Sequence, residues 1–447
     1  MRNHPILDNP FAKVPPFIPL LNARACRSHS FCKKAAWEGR SLMGTSNFRH
    51  LLLIFFLALV AFRGRAHVDD KVTAKLYGFV KFDAAYDTAQ VSPGDYYRIA
   101  VSDAQNVAGS NQFNATANQT RIGIDLGGPD TIGAKLSGKV EIDFYDDNNY
   151  LSSTTSPTNA WDNKPLPQLR LAYASLHWEA SDFEISAGQN WDVISPLLTT
   201  TLNYYAGWNA GDLGYRRPQL RFTKGIRLQH DRKIITQLAF GKTVGSDGVS
   251  PASANLNNGN DMNYPQVQSR IAIQSKLWQD APAIVGIYGH YGMEKYYLSG
   301  NLSDTARVPT WSAGTDITLP ILDNLVLTGE FVRGADLRMF AGGISNGAAV
   351  INGHAIGVHA TDFWTQLAYK PNPRLQLTAG GGQSRCDAAD LSTATAPRRN
   401  SFVFGNAVYA FTKPLTAGIE VTQLNTDYIA QPGGRATRLQ TSIQYTF

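Results

Sequence analysis

From about residue 75 to its last residue, the chain alternates apolar and polar side chains with a period of two, and its connections are by turns short and long. The final stretch places Leu439, Thr441, Ile443, Tyr445 and Phe447 on one face and Gln440, Ser442, Gln444 and Thr446 on the other. Near residue 76 the same pattern sets Leu76, Val80, Phe82, Ala84 and Tyr86 against Lys75, Lys81, Asp83 and Asp87. It returns at 133–145, where Leu136, Val140, Ile142 and Phe144 oppose Lys135, Ser137, Lys139, Glu141 and Asp143. A period of two is the signature of a strand with two different faces.

The connections distinguish a soluble sandwich from a membrane barrel. Short turns fall near Gly128–Ile132, Glu179–Asp182, Asp231–Arg232, Trp278–Pro282, Pro320–Asn324, Pro371–Arg374 and Thr412–Leu415. Long polar loops fall between them, near 88–119, 146–166, 190–214, 243–264, 294–307, 334–360, 384–399 and 425–435. Seven turns and eight loops in strict alternation imply about 16 strands with both termini on the short-turn side. That is the pattern of an outer-membrane barrel. Closure is enforced by hydrocarbon, because no backbone N–H or C=O can be left unpaired there. The fold class is therefore read as all-β, a transmembrane antiparallel β-barrel wide enough to hold water. Charge placement agrees, since a Lys or Arg on the lipid face at mid-bilayer costs about 2–4 kcal/mol. Arg121, Arg170, Arg217, Arg221, Arg270, Glu141, Asp143, Glu184, Asp316, Glu330 and Glu420 all take the parity opposite to their strands' apolar residues.

The whole chain carries a formal charge of +6, which invites a nucleic-acid reading. The excess, however, lies in residues 1–66, with ten Lys/Arg against two Asp/Glu; 67–447 hold 31 basic and 33 acidic residues. The same leader contains the apolar run Leu51–Phe62, preceded by Arg49 and His50 and followed by Gly64-Arg65-Ala66. About 12 apolar residues are too few to span a bilayer but suit a secretory signal, with small residues for cleavage. The expected organisation is an upstream extension over 1–42, translation starting at Met43, a signal peptide over 43–66, and a mature barrel over 67–447. Cys26 and Cys32 leave with the leader, and Cys386 remains without a disulfide partner.

The segments YGFVKFDAAYD (77–87), QTRIGIDL (119–126), KVEIDFYDD (139–147), LRLAYASL (169–176), SAGQNWDV (186–193) and RRPQLRFT (216–223) resemble, in this order, the DcaP-like outer-membrane porins. The match is concentrated in residues 77–224. The resemblance implies a 16-stranded, homotrimeric, passive diffusion porin for small carboxylated or otherwise anionic solutes. Some members carry an N-terminal coiled coil. Here only about eight residues, His67–Ala74, separate the expected cleavage site from the first strand. Trimerisation would then rest on the barrel wall.

Selectivity in such a pore needs charges facing the lumen at a constriction. Arg121, Arg170, Arg217, Arg221 and Arg270 project inward from the second, fourth, sixth and eighth strands, on one half of the barrel, with Arg217 and Arg221 the foremost candidates for the ion path. The competing reading pairs these arginines with Asp125, Glu141, Asp143 and Glu184 as wall scaffolding. The third outer loop, about 190–214, holds Trp191, Asp192, Pro196, Tyr204, Tyr205, Trp208 and Asp212. The resemblance suggests that it folds inward and constricts the pore; otherwise it caps the rim. Tyr445 and the terminal Phe447 resemble the signal read by the barrel-assembly machinery, or are simply part of a lipid-facing last strand.

Other chemistries are weakly supported. Asp143-Phe-Tyr-Asp-Asp-Asn-Asn149 is acidic but lacks the glycine and terminal glutamate of a calcium loop. Asn114-Ala-Thr and Asn118-Gln-Thr match a glycosylation pattern that means little in a bacterial envelope protein. No Walker loop, H-E-x-x-H or G-x-S-x-G occurs, and no catalytic residue, metal or cofactor is called for. Two alternatives stand beside the porin: a barrel hydrolase using an outward Ser175–His177 pair, with His230, His290, His354 and His359 as the other available histidines, and a structural or adhesive barrel without conductance. The expected partners are small hydrophilic, anionic solutes, membrane lipid and the assembly machinery.

Overall fold

The computed structural model describes residues 72–92, 98–105, 110–145, 167–203, 206–243, 262, 264–278, 281–298, 305–393 and 395–447. The extension, the signal peptide, Tyr204, Tyr205 and the acidic residues 146–149 lie outside them. So does the proposed mature start at His67.

Sixteen antiparallel strands close into one barrel. They are β1 (Thr73–Asp87), β2, β3 (Ala134–Asp143), β4 (Gln168–Trp178), β5 (Phe183–Trp191), β6 (Arg216–Arg227), β7 (Lys233–Gly241) and β8 (Gln266–Ser275). The second half comprises β9 (Ala283–Tyr297), β10 (Thr305–Leu322), β11 (Leu325–Ala335), β12 (His359–Asn372), β13 (Leu375–Cys386), β14 (Pro397–Ala410), β15 (Leu415–Tyr428) and β16 (Gly434–Thr446). Strand β2 runs in two pieces, Gln112–Thr116 and Arg121–Thr131. Closure is made by β1, which pairs with β16 from Phe79↔Thr446 to Asp87↔Arg438 and with both pieces of β2 on its other side. Among the described residues no barrel strand is left with a free edge, which is the condition hydrocarbon imposes.

Burial runs opposite to that of a soluble protein. Along β1, Val80, Phe82 and Tyr86 are exposed, while Lys81, Asp83 and Asp87 between them are buried. Ile271 and Ile273 on β8, Ile419 and Val421 on β15, and Ile443 on β16 are likewise exposed, whereas Arg270, Glu420 and Gln440 are buried. The greasy face is the outside of the barrel. Trp178 and Trp278, at short turns, donate their indole N–H to the carbonyls of Ile132 (3.1 Å) and Ile321 (3.0 Å) on neighbouring turns. An amphipathic ring with its polar edge satisfied is the belt residue of a membrane interface. Among the described residues, no helix is long and apolar enough to cross a membrane.

One strand corrects the parity reading. A register shift between Glu141 and Ile142 makes the β3–β4 ladder step over Arg170, from Glu141↔Leu171 to Ile142↔Leu169. A bulge of this kind moves the following residues by one and exchanges their faces. Leu171 is buried opposite Glu141, and Ser175 lies opposite Ser137, their hydroxyls 2.8 Å apart. Ser175 and His177 thus face inward, not outward. The serine's hydroxyl bonds to Ser137, while His177 stands 3.9 Å from Asp182.

Candidate functional site: a charged lumen and the segments inside it

Between β5 and β6 the chain does not stay at the rim. Val193 and Ile194 donate backbone N–H groups to Gln268 Oε1 on β8 (2.7 and 3.3 Å), and Leu197 donates to Glu330 Oε1 on β11 (2.9 Å). Thr200 donates to Gln366 Oε1 on β12 (2.8 Å), and Asn406 of β14 donates back to the Thr200 carbonyl (2.8 Å). Leu202 donates to Glu420 Oε2 on β15 (2.8 Å), and its carbonyl accepts from Lys81 Nζ of β1. A segment bonded in turn to inward side chains of β8, β11, β12, β14, β15 and β1 runs along the inner wall. Gly211 shows how closely it approaches: a Cβ there would collide with the Phe363 carbonyl oxygen of β12.

Two further segments accompany it, where the sequence pattern alone gives ordinary outer loops. Between β11 and β12, Phe340 and Ala341 accept from Gly214 N–H (2.7 Å) and Asn209 N–H (3.0 Å). Leu337, Phe340 and Ile344 pack with Ile194 and Leu213 in an apolar cluster closed by Val332, Ala360 and Cys386 of the wall. Between β1 and β2, Ala100 bonds to Thr426 Oγ1 (2.9 Å), and Asn400 bridges the Arg98 carbonyl (2.6 Å) and the Asn209 carbonyl (2.8 Å). The signal for the first was present. Leu337-Arg-Met-Phe340 is too apolar for a loop that only meets water.

The wall is asymmetric in charge. Among the described residues, the buried Lys and Arg side chains are Lys81, Arg170, Arg216, Arg217, Arg270 and Arg438, all on β1–β8 or β16. Lumen carboxylates of β9–β15, among them Glu330, Asp362 and Glu420, bond mainly to N–H and O–H groups. Glu330 accepts from Leu197, Ser195 and Trp364; Asp362 from Gly343 and Ser384; Glu420 from Leu202, Asn406 and Thr422.

The arginines divide into two groups. Arg170 is 1% exposed and held by Glu141 (2.8 Å) and Asp143 (2.6 Å); Arg270 is held by Asp316 (2.6 Å). Arg217 is fully buried, bound to Asp192 (2.8 Å) and the Met339 carbonyl (2.9 Å), with its guanidinium 4.3 Å from the Phe340 ring centre. That corrects its ranking as a foremost ion-path residue: no surface of it meets water, and its charge is matched. Glu141 and Asp143 are buried by the same pairing. Arg121 and Arg221 are only partly buried. Arg121 lies 3.7 Å from Glu141, while Arg221 forms no ion pair and bonds to the Trp191 carbonyl and Gln219 Oε1 (3.3 Å). Glu184 is half-buried across from Thr223 of β6 and His177 of β4.

Of the loop residues, Trp191 packs with Tyr145, Trp208, Leu198 and Tyr215. Asp192 is tied to Arg217, and Asp212 is fully buried, accepting from Thr199 N–H (2.9 Å). Burial pushes the Asp212 carboxyl up to about 7, against the opposing hydrogen bonds from Thr199. Tyr445 and Phe447 face outward, and Phe447 closes the barrel through its N–H to the Gly78 carbonyl (3.0 Å). Metal-ligand atoms of His359, Asp387 and Asp390 lie within 4.8 Å of one another, but His359 bonds to Asp390 (2.8 Å) and Asp387 is held by Arg333.

By sequence, no family model and no curated protein matches the chain. In three dimensions it is similar to the crystal structure of the outer membrane channel DcaP of Acinetobacter baumannii, with a TM-score of 0.65 and 19% identity over 86% of this chain and 99% of that one. It also resembles Salmonella typhi OmpF in complex with daunomycin (TM-score 0.51, 13% identity, 84% and 97% covered). A third likeness is to Pseudomonas putida OprB at high pH (TM-score 0.50, 10% identity, 84% and 94% covered). At these identities the likeness is one of fold.

Proposed function

We propose that this chain, which has the sixteen-stranded fold of outer-membrane porins, is a passive outer-membrane channel for small hydrophilic solutes, favouring anionic and carboxylated ones. The observation that carries the reading is the inner segment 193–203, pinned to the far wall by its backbone while Arg121 and Arg221 stay within reach of water. Such a chord narrows a water-filled bore and sieves by size, and guanidinium charge within reach of water in a low-dielectric throat attracts anions. Diffusion needs no chemical step, and the side chains named above stabilise the throat or bias what enters it.

The rest of the proposal follows from export and assembly. Residues 43–66 serve as the signal peptide, Tyr445 and Phe447 present the last strand to the assembly machinery, and the barrel wall forms a homotrimer. Liposome swelling tests the channel. Vesicles containing the refolded protein should swell in isotonic small sugars and faster in small carboxylates of equal size; vesicles that incorporate it and do not swell would contradict the proposal.

A further inference from the structure

At the outer ends of β11–β15 a single cross-strand row sets Arg333, Thr361, Arg385, Arg399 and Asp427 side by side. The row faces away from the lumen, since Val332, Asp362, Ser384, Asn400 and Thr426, the residues next to them along the strands, are buried. Arg333 is held by Asp387 (2.5 Å) and Arg399 by Asp427. Arg385 is exposed, forms no ion pair among the described residues, and stands directly opposite Arg399. Like charges directly opposite each other on two strands are destabilising. One pleat repeat toward the membrane, a second outward row holds Gln383, Ser401, Asn425 and Arg435; this arginine too is exposed and without an ion pair among the described residues. Two repeats further on, Ala379, Gly405, Val421 and Leu439 are apolar throughout. The outer wall here passes from hydrocarbon through polar to cationic. At the same end of β2 and β4 the exposed residues are Phe113 and Leu169, so the charge is a local feature. Trp311 of β10 meets His359, two residues from Thr361, edge-on with ring centres 6.1 Å apart. An aromatic on the lipid face belongs to the headgroup level, which places the row there.

Basic clusters at a membrane surface recognise anionic headgroups, and a guanidinium fork takes a phosphate bidentately. A phosphate shared by the facing forks of Arg385 and Arg399 would turn their repulsion into a common attraction. The amides and hydroxyl of Gln383, Ser401 and Asn425 beneath them suit sugar hydroxyls, and the apolar rows below suit acyl chains. A lipid that carries phosphate on a saccharide head has all three parts. In the outer leaflet of a bacterial outer membrane that chemistry is lipid A. We propose that Arg385 and Arg399, with Gln383, Ser401, Asn425 and Arg435 below them, form a docking site on the outer wall for the phosphorylated disaccharide of lipid A. The inference rests on the outer-membrane placement given above and is independent of conduction.

The test is native mass spectrometry of the full refolded barrel in detergent, titrated with diphosphoryl lipid A. Saturable retention is expected, weaker by about tenfold or more in Arg385→Gln and partly recovered in Arg385→Lys, because a charge-assisted hydrogen bond is lost and then half restored. Without lipid A, Arg385→Gln should unfold at the wild-type temperature or above it, since the substitution removes only a repulsion. Arg374→Gln, at the short-turn end of the same wall, should bind lipid A as the wild type does. Dephosphorylated lipid A and phosphatidylglycerol should be retained poorly, and inorganic phosphate in large excess should not displace the bound lipid. No saturable retention by the wild type, equal affinity in Arg385→Gln, or an equal loss in Arg374→Gln would overturn the inference. So would equal retention of phosphatidylglycerol, or displacement by inorganic phosphate, which would make the ligand any anionic lipid or the free ion. Should Arg385→Gln fail to refold, the wild type decides alone: equal retention of phosphorylated and dephosphorylated lipid A would overturn the proposal. Liposome swelling without lipid A binding removes the site and leaves the channel, whereas binding without swelling removes the channel and leaves the site.

Discussion

The two halves of the barrel use the same side-chain types for opposite purposes. In β1–β8 with β16, buried carboxylates mostly meet buried cations, as in Glu141–Arg170–Asp143, Asp192–Arg217 and Asp87–Arg438. In β11–β15, Glu330, Asp362 and Glu420 meet backbone N–H groups of chain segments that have entered the lumen. A carboxylate can be satisfied either way, since several hydrogen bonds to its ionised form serve as well as one cation. The acids of one half thus stiffen a wall, while those of the other hold backbone from the inner segments. On the channel proposed above, the anion bias rests on the part-buried Arg121 and Arg221.

Breaking the cationic half should have the largest effect. Arg217→Ala leaves Asp192 buried without its cation and should destabilise the folded barrel by about 3–5 kcal/mol, seen as a lower midpoint in urea-induced unfolding from liposomes. A midpoint equal to wild type would show that the pair is not structural. Asp212 offers a pH-dependent counterpart inside the inner segment. Its carboxyl is raised in the folded state to about 7, so ionising it opposes folding. The native arrangement is fully stable below the carboxyl's ordinary value near 4, weakens as pH rises to about 7, and is level above that. Asp212→Asn should make this slope shallower and recover up to about 4 kcal/mol at pH 8. An unchanged slope in the variant would assign it to other buried carboxyls.

The anchoring half predicts smaller losses of stability with a clear change in conductance. Glu330→Ala strips the acceptor from Leu197 N–H, Ser195 and Trp364. Each donor left unsatisfied costs about 1–3 kcal/mol unless water replaces the acceptor. The inner segment should loosen, single-channel conductance should rise, and limited proteolysis should cut within 193–203. An unaltered conductance would mean that this segment does not set the bore. The gentlest change is Arg221→Ala, which has no ion pair to break; it should leave stability within about 0.5 kcal/mol and lower anion selectivity.

The alternation of Val80, Lys81, Phe82 and Asp83 revealed the wall, and the short and long connections revealed its closure. Period and turn chemistry are local properties, so one chain carries them in full. The bulge at Arg170 was not legible, because a single extra residue leaves the apolar spacing plausible on either parity. Nor was the partnering of Arg217, whose acid comes from a loop and whose stacking partner, Phe340, lies more than a hundred residues away. The anchors Glu330, Gln366 and Glu420 were visible as inward polar residues, but what they hold is decided by the path of a segment with no period of its own.

The proposed channel is constricted by the inner segment and takes its bias from the cationic half. Single-channel recording of the refolded chain across a planar bilayer, under a potassium chloride gradient, tests it most directly. Stepwise openings with a reversal potential on the anion side, moved toward neutrality by Arg221→Ala at unchanged barrel stability, are the predicted result. A barrel that inserts and does not conduct, or one whose reversal potential lies on the cation side in the wild type, would contradict it.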